Sequence, residues 1–562
     1  MNRNVESHFS ELPKVDIGRS IFDLSQSHLT THNVGELIPF ACFPVLPGDT
    51  FKVATSCVVR LQTPLTPIFS NIYYDTYWFY CPSRILWTHW KEFMGENTQS
   101  AWVPSAQYSV PITKPPSGGW NVGSIADHFG IPTGVYDANN TMKKFPISLP
   151  FRAYSMIVDQ FFRDQNLSDP VNITLGDSNT NGSNGTNYIT DLEKGGAPFK
   201  VCKYHDYYTS TLPGPLKNAN DVKFPLVSGT FAPVGAGEHG HPMTSFGDYP
   251  LTFVKENSGT FTASKNYNLG LRTDSVGEVA YTVLGTQYTG DTTNKLIPNN
   301  LYADLSDTVG AVTINQMRLA FQLQKYYEKC ARAGTRYREI LKEMFGVTSS
   351  DARMMIPEYL GGHRFPLNIH QVANTSEGSS YLGDLGAMSN TADVHEDFIK
   401  SFEEFGYVIG VACARYDHQY SQGLNKMWTQ TDKFDYYFPV FANLGEMPCF
   451  VHELYWDNTI QGDEVFGYQE AWASPYRYSP ALVTGEMRPG IANSLASWHL
   501  GDYYTSRPYL SDAWIREDKS NVDRVLSVQS SVSNQIMVDF YVKNTATRPM
   551  PVYSIPGLID HH

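Results

Sequence analysis

A zinc metalloprotease needs two imidazoles one helical turn apart with a glutamate directly after the first, and the stretch to test for it is His452-Glu453-Leu454-Tyr455-Trp456. Tryptophan stands where the second histidine belongs, so the metalloprotease pattern fails. Glu238-His239-Gly240-His241 sets two imidazoles two residues apart, but sharing a metal would need a rigid loop and a third ligand from elsewhere. Surface or interface contact is the preferred reading. Glu403-Glu404 and Asp463-Glu464 offer paired carboxylates, yet adjacent acids on a strand point to opposite faces and cannot flank one glycosidic bond. Solvated charge is the plainer account. Nucleophile elbow, Walker-type phosphate loop and calcium loop are all missing from the sequence, which leaves an activated nucleophile without support. Seven cysteines (Cys42, Cys57, Cys81, Cys202, Cys330, Cys413 and Cys449) are widely spaced, odd in number and never form a C-x-x-C pair. That spacing argues against a disulfide framework or a cysteine zinc site and for free thiols, with Cys57 and Cys413 as small buried hydrophobes. No catalytic residue, cofactor or metal site is predicted.

The elements that would position any such groups are mainly strands. Residues 50–61, TFKVATSCVVRL, place Phe51, Val53, Thr55, Cys57, Val59 and Leu61 on one face, with Lys52, Ser56 and Arg60 opposite. Residues 72–81, IYYDTYWFYC, are almost wholly aromatic or β-branched and predict a strand packed on both sides, a possible neighbour of the first. Similar signals recur only at 405–415 and 535–543, so the sheets must join strands distant in sequence. Between them, 315–345 reads as a helix whose stripe of Met317, Ala320, Leu323, Tyr327, Cys330, Gly334, Tyr337, Leu341 and Met344 faces a core. Its other face carries Arg318, Lys325, Lys329, Arg332, Arg336, Arg338 and Lys342, read as a solvated face in preference to a phosphate site. Segment 176–187, GDSNTNGSNGTN, has no apolar residue and is expected to be a poorly ordered surface loop. From 226 to 311 the chain turns Gly-, Thr- and Asn-rich, which marks an insertion with small β structure of its own, read as a protrusion.

Composition agrees with this pattern. Among 562 residues, 35 Tyr, 31 Phe, 43 Gly and 34 Pro describe aromatic strands punctuated by turns, an all-β sandwich with long loops. A formal charge of −14 repels a polyphosphate, so any nucleic-acid contact must be local. The stretch from Met1 to Thr30 has no apolar signal region, and the apolar runs fall short of membrane-spanning length, so neither secretion by that route nor membrane insertion is expected.

Several longer blocks are distinctive: RLQTPLTPIFSNIYYDTYWFYCPSRILW at 60–87, PFRAYSMIVDQFFRDQNL at 150–167, KYHDYYTSTLPGPLK at 203–217 and the helical stretch 316–362. Further on come FDYYFPVFANLGEMP at 434–448, ASPYRYSP at 473–480, HLGDYYTSRP at 499–508 and the ending PVYSIPGLIDHH. In this order, across nearly the whole chain, they resemble the major capsid protein of the gokushoviruses, a branch of the Microviridae. The poorest matches are 171–195 and 226–311.

That resemblance implies an eight-stranded antiparallel jelly roll with long loop and helical insertions, built discontinuously from 1–225 and 312–562, and a 226–311 insertion protruding at the threefold axis. It implies a T=1 icosahedral shell of identical copies that encloses circular single-stranded DNA, assembled in the bacterial host cytoplasm with scaffolding and other virion proteins. The insertion is the expected site for a carbohydrate-type host receptor, with His239, His241, Phe246 and Tyr249 as candidate contacts. Arg477, Arg507 and Arg548 are candidate genome contacts, although bonding to loop carbonyls and carboxylates is the preferred role. The extended C-terminal tail should lie on a neighbouring subunit. The competing reading is a carbohydrate-binding or carbohydrate-active jelly-roll protein, motivated by the aromatic content.

Overall fold

The computed structural model describes residues 18–97, 106–134, 144–217, 313–375, 383–457 and 464–553, with five short strands between Val234 and Ala303. It divides into two compact units, Met1–Lys217 with Glu328–His562, and Asn218–Tyr327. The described strands of the second unit, such as Thr252–Lys255 between Tyr267–Asn268 and Leu296–Pro298, pair antiparallel.

The first unit is built on eight longer strands: β1 (Gln26–His32), β2 (Glu36–Val45), β3 (Thr50–Leu61), β4 (Ile72–Pro82), β5 (Glu358–Pro366), β6 (Thr391–Ser401), β7 (Gly406–Tyr416) and β8 (Ile536–Arg548). One antiparallel sheet runs β6-β3-β8-β1, with Ser20–Asp23 also on β8, and the other runs β5-β4-β7-β2, with Phe199–Lys200 at its end. Chain order and sheet order differ throughout, so nearly every ladder joins residues far apart.

Burial explains why the strands read differently in sequence. Phe40 of β2 stacks on Phe540 of β8 at 4.3 Å and meets Trp78 of β4 edge-on at 5.1 Å, so these rings fill the space between the sheets. The second sheet is also covered on its outer face. There α1 (Leu149–Ile157), opened by Ser148 and Pro150, brings Phe151, Tyr154 and Ile157 against Leu37, Phe79, Ile409 and Val411, and Tyr154 donates to the Leu37 carbonyl at 2.6 Å. Strands β4 and β7 are therefore apolar on both sides, whereas β3 and β8 alternate because the first sheet buries one face alone.

Three expectations need correction. Residues 50–61 and 72–81 are both strands, but they lie in opposite sheets, because the Pro64- and Pro67-containing connection is too long for a tight hairpin and crosses between layers. The 315–345 helix is two helices, α2 (Ile314–Ala333) and α3 (Tyr337–Phe345), broken where Gly334 adopts φ +88°. Among the described residues of the two helices Ala331 alone is fully buried, so the apolar stripe is at most partly covered. Segment 176–187 is held in place by its own side chains, since short amides and carboxylates replace apolar burial with backbone hydrogen bonds. Asp177 accepts from the Trp87 indole at 2.7 Å, Asn179 accepts from Ile112 N at 3.1 Å, and Thr180–Asn181 pairs in parallel with Thr113–Lys114.

Inter-sheet stacking sets the first prediction. Phe540→Ala in the unassembled chain should cost about 3–5 kcal/mol, read from the denaturant midpoint. Its half-exposed neighbour Tyr541→Ala should change stability by no more than about 0.5 kcal/mol, and equal losses would contradict the layer assignment.

Candidate assembly surface

His452, Glu453 and Glu404, among the groups first considered for chemistry, are engaged by the fold. His452 and Glu453 are buried in the short helix Val451–Leu454, where Glu453 caps Phe450 N at 2.9 Å and accepts from Tyr207 at 3.2 Å. Burial raises the Glu453 carboxyl above its ordinary range. Glu403 is exposed, and Glu404 is partly exposed while it takes Arg84 in two bonds of 2.9 Å. Arg477 pairs with Glu470, Arg507 with Glu464, and Arg548 with Asp49 at 3.1 Å and the Pro44 carbonyl at 2.6 Å, the protein-satisfying role preferred for them. On the helical basic face, Arg332 donates to Glu446, Arg336 to the Asp159 carbonyl and Arg338 to the Gln160 carbonyl. All seven thiols are free, and burial pushes Cys57 and Cys413 up to about 12. His239, His241, Phe246 and Tyr249 lie outside the described residues, as does the end of the tail from 554.

What stands out instead is apolar surface. Between Lys426 and Leu444 the chain makes three single 3-10 turns and exposes Trp428 (69%), Phe434, Tyr436, Phe438 and Val440 (88%) together. Such a cluster on a lone subunit marks a surface that another protein covers. The loop is shaped before it meets anything. Asp435 accepts from Thr431 N and Asp432 N, Gln430 donates to the Asp435 carbonyl, and the Trp472 indole donates to the Phe441 carbonyl at 2.9 Å. Tyr437 meets Trp472 edge-on at 5.6 Å. Prior ordering lowers the entropic cost of docking.

On either side of the loop in sequence, Tyr420 and Cys449 belong to a satellite core with Tyr207, Tyr208, Val451, Leu454 and Phe466. Two residues before Tyr420, buried His418 is clamped between Asp502 at 2.9 Å and Glu517 at 3.1 Å, and Lys203 reaches Asp502 at 3.3 Å. Burial opposes the charged imidazole, but the Asp502 and Glu517 charges outweigh it and hold His418 at about 9. Burial likewise opposes the Asp502 carboxylate, yet the charges of His418 and Lys203 keep it well below its usual range.

A β-sandwich that carries a rigid, uncovered aromatic loop is the kind of protein that forms viral shells by association. Residues 10–558 match the family described as capsid protein (F protein), and the chain belongs to that family. It is 40% identical over 558 residues to the capsid protein VP1 of Spiroplasma virus 4, covering 98% of this chain and 97% of that protein. It is 35% identical over 562 residues to VP1 of Bdellovibrio phage phiMH2K and 34% identical over 598 residues to VP1 of Chlamydia phage 1, each covering 99% of this chain and 98% of the relative.

In sequence the stretch 434–448 carries a family resemblance but no period that assigns it a role. The usable signal was its density of aromatics at neither strand nor helix period.

Two outcomes follow. Trp428→Ser combined with Val440→Ser should leave the thermal midpoint of the isolated chain unchanged yet abolish assembly, and undiminished assembly would remove the loop from the interface. Because His418 titrates near 9 in the fold and at about 6.5 when unfolded, its contribution is complete below about pH 6.5 and is lost as pH rises through about 9. Stability of the unassembled chain should fall by on the order of 3 kcal/mol across that window, and His418→Gln should flatten the decline. A profile unchanged by the substitution would contradict the clamp.

Proposed function

We propose that this chain is the major shell subunit of a small icosahedral phage, with copies tiling a T=1 capsid around a circular single-stranded DNA genome. The family match along nearly the whole chain carries this reading, together with relatives named as capsid proteins VP1. Its role is structural, and the chain is not an enzyme. The eight strands form a jelly roll. Support comes from their order, in which strands 1, 8, 3 and 6 of one sheet face 2, 7, 4 and 5 of the other. The two packed sheets supply rigidity, and the exposed loop at 426–444 supplies apolar contact between copies.

The genome is held by local contacts, because a net charge of −14 opposes general attraction to phosphate. The insertion at 226–311 projects at the threefold axis and meets a carbohydrate receptor on the host through His239, His241, Phe246 and Tyr249. Scaffolding and other virion proteins take part, and assembly runs in the bacterial cytoplasm.

Expression with those partners and negative-stain microscopy should give uniform closed particles. Deleting residues 230–308 should preserve the particles and abolish attachment to host cells. A chain that stays monomeric with its partners present refutes the shell, and attachment unaffected by the deletion refutes the receptor role.

A further inference from the structure

Strand β6 carries Asp393, His395 and Asp397 at alternate positions, which turns all three towards the space between the sheets. It is the edge strand of its sheet, and β5, which carries His363, is the edge strand of the other. The two edges meet here. A Cβ at Gly361 of β5 would sit 2.8 Å from the Asp397 carbonyl oxygen, so glycine is what permits the approach.

At this junction the His363 and His395 rings lie 4.4 Å apart, tilted by 30°. Asp393 stands between them, with Oδ2 at 2.7 Å from His395 Nδ1 and Oδ1 at 3.6 Å from His363 Nε2. One ligand atom from each of the three side chains falls within 4.8 Å of the others, and no other such convergence occurs among the described residues. A separate observation concerns the far side of His395. Its Nε2 faces Asp397 Oδ1 at 3.0 Å, and fully covered Asp397 is itself fixed by Thr55, whose hydroxyl donates to Oδ2 at 2.5 Å.

We propose that His363, Asp393 and His395 bind a divalent transition-metal ion of the zinc class, which pins the two sheets together at the open edge of the sandwich. Two imidazole nitrogens and a carboxylate oxygen form a donor set suited to zinc, and three protein ligands leave a fourth position for water. Donation of Nε2–H to Asp397 leaves Nδ1 of His395 as the ligand nitrogen. This arrangement, metal to histidine to buried carboxylate, orients the ring and increases its basicity. His395 lies between two carboxylates, Asp393 on its Nδ1 side and Asp397 on its Nε2 side. His363 keeps two-fifths of its side chain exposed, which leaves a path for entry.

The test uses the full untagged chain, stripped with chelator, dialysed and titrated with zinc chloride by calorimetry, with thermal unfolding measured in parallel. A single zinc ion per chain should bind and raise the unfolding midpoint, and cobalt(II) should give the visible absorption of a low-symmetry nitrogen and oxygen site. His363→Gln, chosen because this side chain is two-fifths exposed at the sheet edge, should fold normally and lose both binding and the zinc-dependent stabilisation. Asp397→Asn should weaken binding by about 10- to 100-fold. A folded chain that binds no zinc, or His363→Gln protein that binds it as tightly as the parent, overturns the site.

Discussion

The constraint on which the rest of the molecule depends is unequal burial of its two sheets. The second sheet is sealed on both faces, by the first sheet on one side and by α1 with its tryptophan-rich surroundings on the other. The first sheet has a single covered face, and its outer side shows Leu29 (79%), Val394 (76%) and Ile399 (67%) to solvent. Core formation therefore ends with apolar surface remaining, and the loop around Val440 adds to it. Hydrophobic burial within one chain and hydrophobic burial between chains are the same force acting at two stages. A subunit so constructed gains by association what its own fold leaves unsatisfied.

Polar groups hold the loops to that frame. Asp75 of β4 takes Arg364 of β5 at 2.7 Å together with Arg415 of β7, and receives the hydroxyls of Tyr204 and Tyr77. Both guanidinium groups also lie over the Tyr204 ring, at 4.2 and 4.3 Å. Asp502 does the same work for the later connection, gathering His418, Lys203, Asn521 and Tyr504. Buried charges of this kind are costly alone and tolerable when every partner is present, so they enforce one arrangement of long connections that propensity would leave open.

Legibility in the sequence followed the range of the forces involved. Strands at 50–61 and 72–81 could be read because alternation and continuous apolar runs are local signals of one-sided and two-sided burial. Their placement in opposite sheets could not, since it depends on β7 and β8, hundreds of residues away. Segment 176–187 looked disordered because composition measures apolar burial and overlooks side chains such as Asp177 and Asn179 that bond the backbone. The alternation Asp393-x-His395-x-Asp397 was present in the sequence, but its partner His363 lies on another strand, so only the meeting of two sheet edges makes it a site. The aromatic loop carried no period, and its meaning came from exposure, a property of the folded surface.

The central claim is that surface left open by the single chain is closed by further copies. Hydrogen–deuterium exchange on unassembled subunits and on intact particles tests it directly, peptide by peptide. The account predicts that amides from Lys426 to Leu444 become strongly protected in particles, while the central strands β4 and β7 are equally slow in both states. Equal exchange of that loop in subunits and particles would contradict it.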